Sequence, residues 1–112
     1  MTSYFLCRAN ELKDEQSRSF SLDTAQGVFE VFLHKTQQQI KAFQNHCPHL
    51  GIPLNWQPNE FLSIEGTHFQ CSTHGALFNI DDGLCIAGPC TGQSLTPLEL
   101  IQKEDGGLWI KH

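Results

Sequence analysis

Two short segments of the sequence each carry one cysteine and one histidine at close spacing. Cys47 and His49 are two positions apart, Cys71 and His74 are three apart, and a glycine follows each pair. Glycine lets the backbone approach a bound group closely. Thiolate and imidazole ligands suit iron–sulfur clusters or zinc far better than cations that prefer oxygen. The four side chains therefore predict a metal site with mixed ligands.

The order of the ligands along the chain separates these two kinds of centre. In an iron–sulfur centre where two histidines replace two cysteines on one iron, each segment reaches one iron through its cysteine and the other through its histidine. The order Cys, His, Cys, His meets that requirement. A structural zinc site is the alternative, but zinc ligand sets commonly use C-x-x-C or H-x-x-x-H spacing. The pattern favours a [2Fe-2S] cluster.

The neighbours of these residues resemble those of Rieske-type [2Fe-2S] proteins, especially the small soluble low-potential ferredoxins of bacterial oxygenase systems. Gly51-Ile52-Pro53-Leu54 is similar to the family's G-x-P-L, and His74-Gly75-Ala76-Leu77-Phe78 to its H-G-x-x-F. Asp82-Gly83 and Gly88-Pro89 fall where the family has a hairpin turn and a loop that covers the cluster. The resemblance spans about residues 28–112. It implies one [2Fe-2S] cluster per chain, bound by Cys47, His49, Cys71 and His74.

The stretch between the two pairs departs from the family pattern. It is longer than is usual in the shorter ferredoxins, and the excess falls in the polar segment 55–60. Trp56 lies in this segment. It is interpreted either as part of a docking surface beside the cluster or as a residue that packs the insert against the body.

The strand pattern predicts an all-β chain, since no segment keeps helical periodicity for three turns. Many short strands with Gly and Asp turns are typical of an antiparallel sandwich or small barrel. Residues 10–17 are expected to form a turn or a single helical turn. The resemblance implies a Rieske-type antiparallel β-sandwich with a cluster-binding subdomain of two ligand loops at one tip. Strands are predicted at 4–7, 19–23, 28–34 and 40–44, and hairpins at 61–65 with 68–70, 77–80 with 84–87 and 98–101 with 108–110.

Length and charge bound the remaining possibilities. A chain of 112 residues suits one domain, here a single Rieske [2Fe-2S] domain over residues 1–112. The net charge of −5 argues against nucleic acid as a partner, because such binding needs Lys and Arg to neutralise phosphates. No apolar run approaches the roughly 18 residues of a membrane span, and the start lacks the basic lead of a secretory signal. No membrane association is expected, and the expected compartment is the cytoplasm.

Three cysteines remain outside the proposed ligand set: Cys7, Cys85 and Cys90. An odd number cannot form a complete set of disulfides, so reducing surroundings are expected. Cys7 is interpreted as a small buried hydrophobe. Cys85 and Cys90 flank Gly88-Pro89 and are able to approach each other. A reducing cytoplasm favours free thiols packed near the cluster over a functional disulfide.

The other histidines and the second tryptophan are interpreted as structural. His46 is expected to be a loop residue that faces solvent. Trp109 is expected in the core. Structural or surface roles are expected for His34, His68 and His112.

The resemblance also bears on the redox potential. High-potential members join their two loops by a disulfide, and the matching positions here are Ile52 and Thr73. Those members carry a serine and a tyrosine that donate hydrogen bonds toward sulfur, where this sequence has Ala76 and Phe78. Such bonds favour the more negative, reduced cluster and raise its potential. The sequence therefore predicts the low-potential end of the range.

The chain contains no G-x-G-x-x-G motif and no room for a flavin or mononuclear iron domain. We therefore expect a one-electron carrier that is not itself an enzyme. By resemblance, its donor is a ferredoxin reductase and its acceptor is a Rieske-type ring-hydroxylating oxygenase or another oxygenase. Two alternatives stay open, a redox-sensing or accessory subunit and a detached Rieske subunit of a larger enzyme.

Overall fold

The computed structural model describes residues 2–37, 39–48, 53–55, 61–63, 65–71 and 75–112. Within these ranges the chain forms nine β-strands and one 3-10 turn, Ala9–Glu11. None of the described residues belongs to an α-helix, and none lies in a helix that could cross a membrane. The strands are β1 (Ser3–Arg8), β2 (Gln16–Thr24), β3 (Gly27–Thr36), β4 (Gln39–Gln44), β5 (His68–Gln70), β6 (Leu77–Asn79), β7 (Cys85–Ala87), β8 (Leu100–Gln102) and β9 (Gly107–Lys111).

The strands form three antiparallel sheets of three strands each, in the orders β1-β9-β8, β2-β3-β4 and β5-β6-β7. The first sheet holds the two ends of the chain together. The Thr2 N–H donates to the His112 carbonyl at 3.1 Å, and the His112 N–H donates to the Thr2 carbonyl at 2.9 Å. The segments with Cys47 and His49 and with Cys71 and His74 are called the first and second ligand segments. In sequence, the first precedes the third sheet, and the second lies between β5 and β6. The predicted all-β antiparallel fold is confirmed.

Strand β3 lies between two hydrophobic cores, which explains the uninterrupted apolar run Val31-Phe32-Leu33 at its centre. Side chains on a strand point alternately to its two faces. Val31 and Leu33 therefore pack into one core and Phe32 into the other, and all three are fully buried. A strand that is covered on both faces loses the apolar and polar alternation of a half-exposed strand.

The two cores have different compositions. The base core joins the first sheet to β3 and β4, and its buried members are Leu6, Cys7, Leu12, Val31, Leu33, Ala42, Leu108 and Ile110. The cysteine-rich core lies on the other face of β3, and its buried members are Phe32, Phe43, Cys47, Leu54, Phe61, Phe69, Cys71, Ala76, Phe78, Cys85, Cys90 and Leu95. Four of the five cysteines therefore lie in one core. The prediction that Cys7 is a small buried hydrophobe is confirmed.

The predicted strands are found, except for one hairpin arm, and one residue assigned to the core is not there. The arm predicted at 61–65 is reduced to a single bridge between Leu62 and Phe69 among the described residues, and β5 pairs instead with β6. Trp109 is only half-buried, so its assignment to the core was wrong. It lies on the face of β9 opposite to Leu108 and Ile110, where it contacts Phe5 at a ring distance of 5.4 Å.

Candidate metal centre

The two cysteines of the predicted site lie at the ends of different strands and meet in the same core. Cys47 follows β4 and is 1% exposed, and Cys71 follows β5 and is fully buried. Both belong to the cysteine-rich core. Their partners in the sequence pattern, His49 and His74, lie outside the described residues, as do Gly51, Ile52, Trp56 and Thr73.

Asn45 closes the neck of the first ligand segment. Its side-chain oxygen accepts a hydrogen bond from the Leu54 N–H at 2.8 Å, and its amide nitrogen donates to Oδ1 of Asn55 at 2.8 Å. Its own backbone N–H donates to the Glu30 carbonyl on β3 at 2.8 Å. Asn45 is buried, so these bonds replace water and hold both ends of the segment that contains Cys47.

Backbone hydrogen bonds close the neck of the second segment. The Cys71 N–H donates to the Ala76 carbonyl at 2.9 Å, and the Gly75 N–H donates to the Cys71 carbonyl at 2.9 Å. Gly75 has a φ of +69°, a left-handed conformation that costs glycine little. This turn explains why a glycine follows His74.

Residues 85–92, called the covering segment below, contact Ala76, the residue that follows the second Cys/His pair and Gly75. Gly88 has a φ of +104°, and a Cβ atom added to it would lie 2.8 Å from the Cα of Ala76. Only a residue without a side chain permits this approach. Gly88 thus lies against the residue that ends the second segment. The role of Gly88-Pro89 in covering a cluster stays a prediction.

Cys85 and Cys90 lie on either side of Gly88 in the covering segment. The Cys90 thiol donates to the sulfur of Cys85 at 3.0 Å, and the Cys85 thiol lies 3.2 Å from the Ala87 carbonyl oxygen. Burial, reinforced by the contact with Cys85, raises the pKa of the Cys90 thiol to about 12. All five cysteines are among the described residues, and no disulfide bond joins any of them.

The donor set fits an iron–sulfur cluster. Cys47 and Cys71 offer buried sulfur in apolar surroundings, and sulfur is the donor that iron–sulfur clusters require. The described residues contain no group of three or more Cys, His, Asp or Glu side chains placed to hold a metal ion. A complete centre thus needs ligands in addition to these two cysteines, and His49 and His74 are the candidates from the sequence.

His34 is a buried histidine beside this core. Its Nδ1 lies 2.7 Å from the Ser17 hydroxyl, and its ring contacts Phe69 edge-on at 5.3 Å. Its Nε2 makes no hydrogen bond within the part of the chain that the structure describes and lies 3.8 Å from the Glu15 carboxylate. Burial lowers the pKa of His34, although the charge of Glu15 opposes the shift. The expected structural role of His34 is thus supported, and His46 is exposed as predicted.

Asn45 was missed by the sequence interpretation. A signal was present, because asparagine next to a loop commonly bonds to nearby backbone groups. Its partners, however, lie nine and ten residues further along the chain, and no local pattern identifies them.

Comparison with known proteins identifies the family. Residues 2–103 match the Rieske [2Fe-2S] domain. No curated protein sequence matches the chain.

Among solved structures, one similar chain belongs to the complex of reduced oxygenase and oxidized ferredoxin in carbazole 1,9a-dioxygenase, with 21% identity, a TM-score of 0.71 and coverage of 96% of this chain and 91% of that one. Another is the ferredoxin of carbazole 1,9a-dioxygenase from Nocardioides aromaticivorans IC177, with 18% identity, a TM-score of 0.69 and coverage of 98% and 97%. A longer chain from the reduced complex between oxygenase and ferredoxin has 16% identity and a TM-score of 0.76, and the match covers 96% of this chain but only 27% of that one. At these identities the likeness is one of fold.

Proposed function

The chain belongs to the Rieske [2Fe-2S] domain family, and on that basis we propose that it is a one-electron carrier with a single cluster. Cys47, His49, Cys71 and His74 are the proposed ligands, in one domain that extends over residues 1–112. The main support is the burial of Cys47 and Cys71 in one core although they follow different strands. When bound, a cluster of this kind takes up one electron and gives it to an acceptor.

The surroundings of the second ligand segment favour a low potential. Ala76 and Phe78 are almost fully buried in the cysteine-rich core, and neither side chain carries a hydroxyl group. They occupy the positions where high-potential members have hydrogen-bond donors to sulfur. Without those donors the reduced state of the centre is less stabilised. The proposed carrier therefore belongs at the ferredoxin-like end of the range.

The proposed partners are a ferredoxin reductase as donor and a terminal oxygenase as acceptor, and the proposed location is the cytoplasm. Solved complexes of carbazole 1,9a-dioxygenase pair an oxygenase with a ferredoxin of similar fold. Next to Cys85, the apolar side chains of Leu84 and Ile86 are 36% and 44% exposed. Exposed apolar side chains of this kind, on a chain of net charge −5, suit brief docking on a partner with a basic rim.

Replacement of each ligand tests the proposed site. We expect Cys47→Ala, His49→Ala, Cys71→Ala and His74→Ala to lose bound iron and acid-labile sulfide together with the visible colour. Cys7→Ala is the matched control, because Cys7 is equally buried but lies in the base core. It should keep two irons per chain, the content of a [2Fe-2S] cluster. Full iron content in any of the four ligand variants would contradict the ligand set.

Electron transfer tests the carrier role. The protein reduced by a ferredoxin reductase should show the EPR signal of a reduced Rieske centre and lose it on mixing with an oxidised Rieske-type oxygenase. The Cys71→Ala variant should transfer nothing. A loaded centre that no reductase reduces would overturn the carrier role and favour a sensing role.

A further inference from the structure

Two thiols that the proposed cluster does not use lie in contact within the covering segment. The sulfur atoms of Cys85 and Cys90 are 3.0 Å apart, and the two residues are 1% and 2% exposed. A disulfide bond is about 2.05 Å long. The sulfurs therefore need to approach by only about 1 Å to reach bonding distance.

The backbone around this pair is already held in place. The Cys85 N–H donates to the Gln93 carbonyl at 2.8 Å, and the Gln93 N–H donates to the Cys90 carbonyl at 2.9 Å. The Gly92 N–H donates to the Cys85 carbonyl at 3.1 Å. These three bonds fix the backbone of both cysteines relative to Gly92 and Gln93, so the two thiols are held side by side.

We propose that Cys85 and Cys90 form an intramolecular dithiol–disulfide site, which small hydroperoxides such as hydrogen peroxide oxidise slowly because both thiols are buried. The proposal uses none of the four proposed ligands, so it does not rest on the proposed function. It concerns a pair in contact, whereas Cys7 lies apart from it in the base core.

The oxidation is balanced with one molecule of hydrogen peroxide. Two S–H bonds and the O–O bond break, while one S–S bond and two O–H bonds form. The two sulfurs lose two electrons to the peroxide, and the two thiol protons leave in two molecules of water. A thiol reductant such as dithiothreitol reverses the step by exchange.

The consequence of the bond follows from the position of Gly88. The segment between the two cysteines includes Gly88, whose backbone lies against Ala76. Ala76 in turn closes the second ligand segment through the bond from the Cys71 N–H. The disulfide therefore closes the covering segment on itself with Gly88 held in its contact with Ala76, and opposes opening of that segment.

Mass spectrometry after treatment with one equivalent of hydrogen peroxide tests the proposal. The holoprotein is used with its cluster oxidised, so that the cluster has no electron to give to peroxide. Digestion after acidic residues releases residues 83–99, which contain Cys85 and Cys90 and no other cysteine. Over several hours, the slow end of disulfide formation, this peptide should lose the mass of two hydrogens and resist alkylation until it is reduced.

Three variants and one stability measurement complete the test. Cys7→Ser should still show the mass loss, whereas Cys85→Ser and Cys90→Ser should not. The oxidised wild type should melt up to roughly 9 °C higher than the reduced protein, as expected for closure of a short loop, and dithiothreitol should reverse the shift. The proposal is overturned if the wild-type peptide stays fully alkylatable, gains oxygen instead, or cross-links to Cys47 or Cys71. These readings on the wild type decide the matter even if a serine variant fails to fold.

Discussion

The backbone of Gly88 lies against Ala76 so closely that an added Cβ would stand 2.8 Å from the Ala76 Cα and 3.0 Å from its Cβ. This contact joins the covering segment to the end of the second ligand segment. Rigid packing of this kind excludes water from the cysteine-rich core, which matters for a site whose donors are buried thiols.

Replacement of Gly88 by alanine should destabilise the protein more than the same change at Gly92. Both glycines have a positive φ, +104° and +93°, but an alanine at 92 would meet nothing within 4 Å. Gly92→Ala therefore carries only the conformational cost of about 1–2 kcal/mol. Gly88→Ala adds a clash with the Ala76 backbone, which costs about 1–3 kcal/mol more. Urea denaturation of both variants measures the difference, and equal midpoints would contradict the close contact.

Replacement of Asn45 by alanine should loosen the first ligand segment. The change leaves the Leu54 N–H without its acceptor and Asn55 without the amide donor at 2.8 Å. Loss of a buried partner costs about 1–3 kcal/mol. We expect faster bleaching of the visible absorption at raised temperature, because Cys47 lies within the segment that Asn45 closes.

Asn10→Ala is the control for Asn45→Ala. Asn10 is exposed in the 3-10 turn and lies in neither core. Its replacement should leave the bleaching rate unchanged. Bleaching of Asn45→Ala at the rate of the wild type would show that the Asn45 bonds do not hold the segment.

Much of the fold follows from local patterns, and the departures have physical reasons. The alternating and β-branched runs predict β3 and β4 well. Strand β2 begins at Gln16, three residues earlier than predicted, because Gln16, Ser17 and Arg18 pair with β3 although they carry no apolar signal. The extent of a strand depends on the partner it pairs with, so the sequence of β2 alone does not show where β2 begins.

The candidate metal centre is likewise predictable from the sequence only in its local features. Cysteine and histidine spacing within a few residues is visible in the sequence, so the two ligand pairs could be named from it. The burial of Cys47 and Cys71 in one core depends on contacts between β3 and the third sheet, which only the fold supplies. The sequence allows Cys85 to approach Cys90 across Gly88-Pro89, but only the fold determines their sulfur distance of 3.0 Å.

Replacement of Ala76 by serine should raise the midpoint potential. A hydroxyl that donates to cluster sulfur stabilises the reduced state, and a gain of about 1–2 kcal/mol corresponds to about 40–90 mV for one electron. Potentiometric EPR titration measures the shift. Ala42→Ser is the matched control, because Ala42 is also buried but lies in the base core. An unchanged potential in Ala76→Ser, or an equal shift in both variants, would exclude hydrogen bonding at this position as the cause.

The free energy of unfolding should decrease as the pH is lowered, because protonation of buried His34 is unfavourable in the folded protein. Burial holds the pKa of His34 in the folded protein below its usual value of 6.5, which the unfolded chain recovers. Between these two values the unfolded state binds more protons, so the free energy of unfolding decreases as the pH falls below about 6.5. The loss ends below the folded pKa, where His34 is protonated in both states. Glu15, 3.8 Å from Nε2, and Asp14 oppose the shift and narrow this window.

Urea midpoints measured between pH 5 and pH 8 should isolate the effect of His34. His34→Gln keeps a polar partner for Ser17 but does not titrate, so its midpoint should depend less on pH below about 6.5 than that of the wild type. His112→Gln is the control. His112 is exposed, stacks on Phe29 at a ring distance of 3.8 Å and belongs to neither core. His112→Gln should therefore keep the pH dependence of the wild type. If wild type and His34→Gln lose stability in parallel as the pH falls, proton uptake by His34 is not the cause.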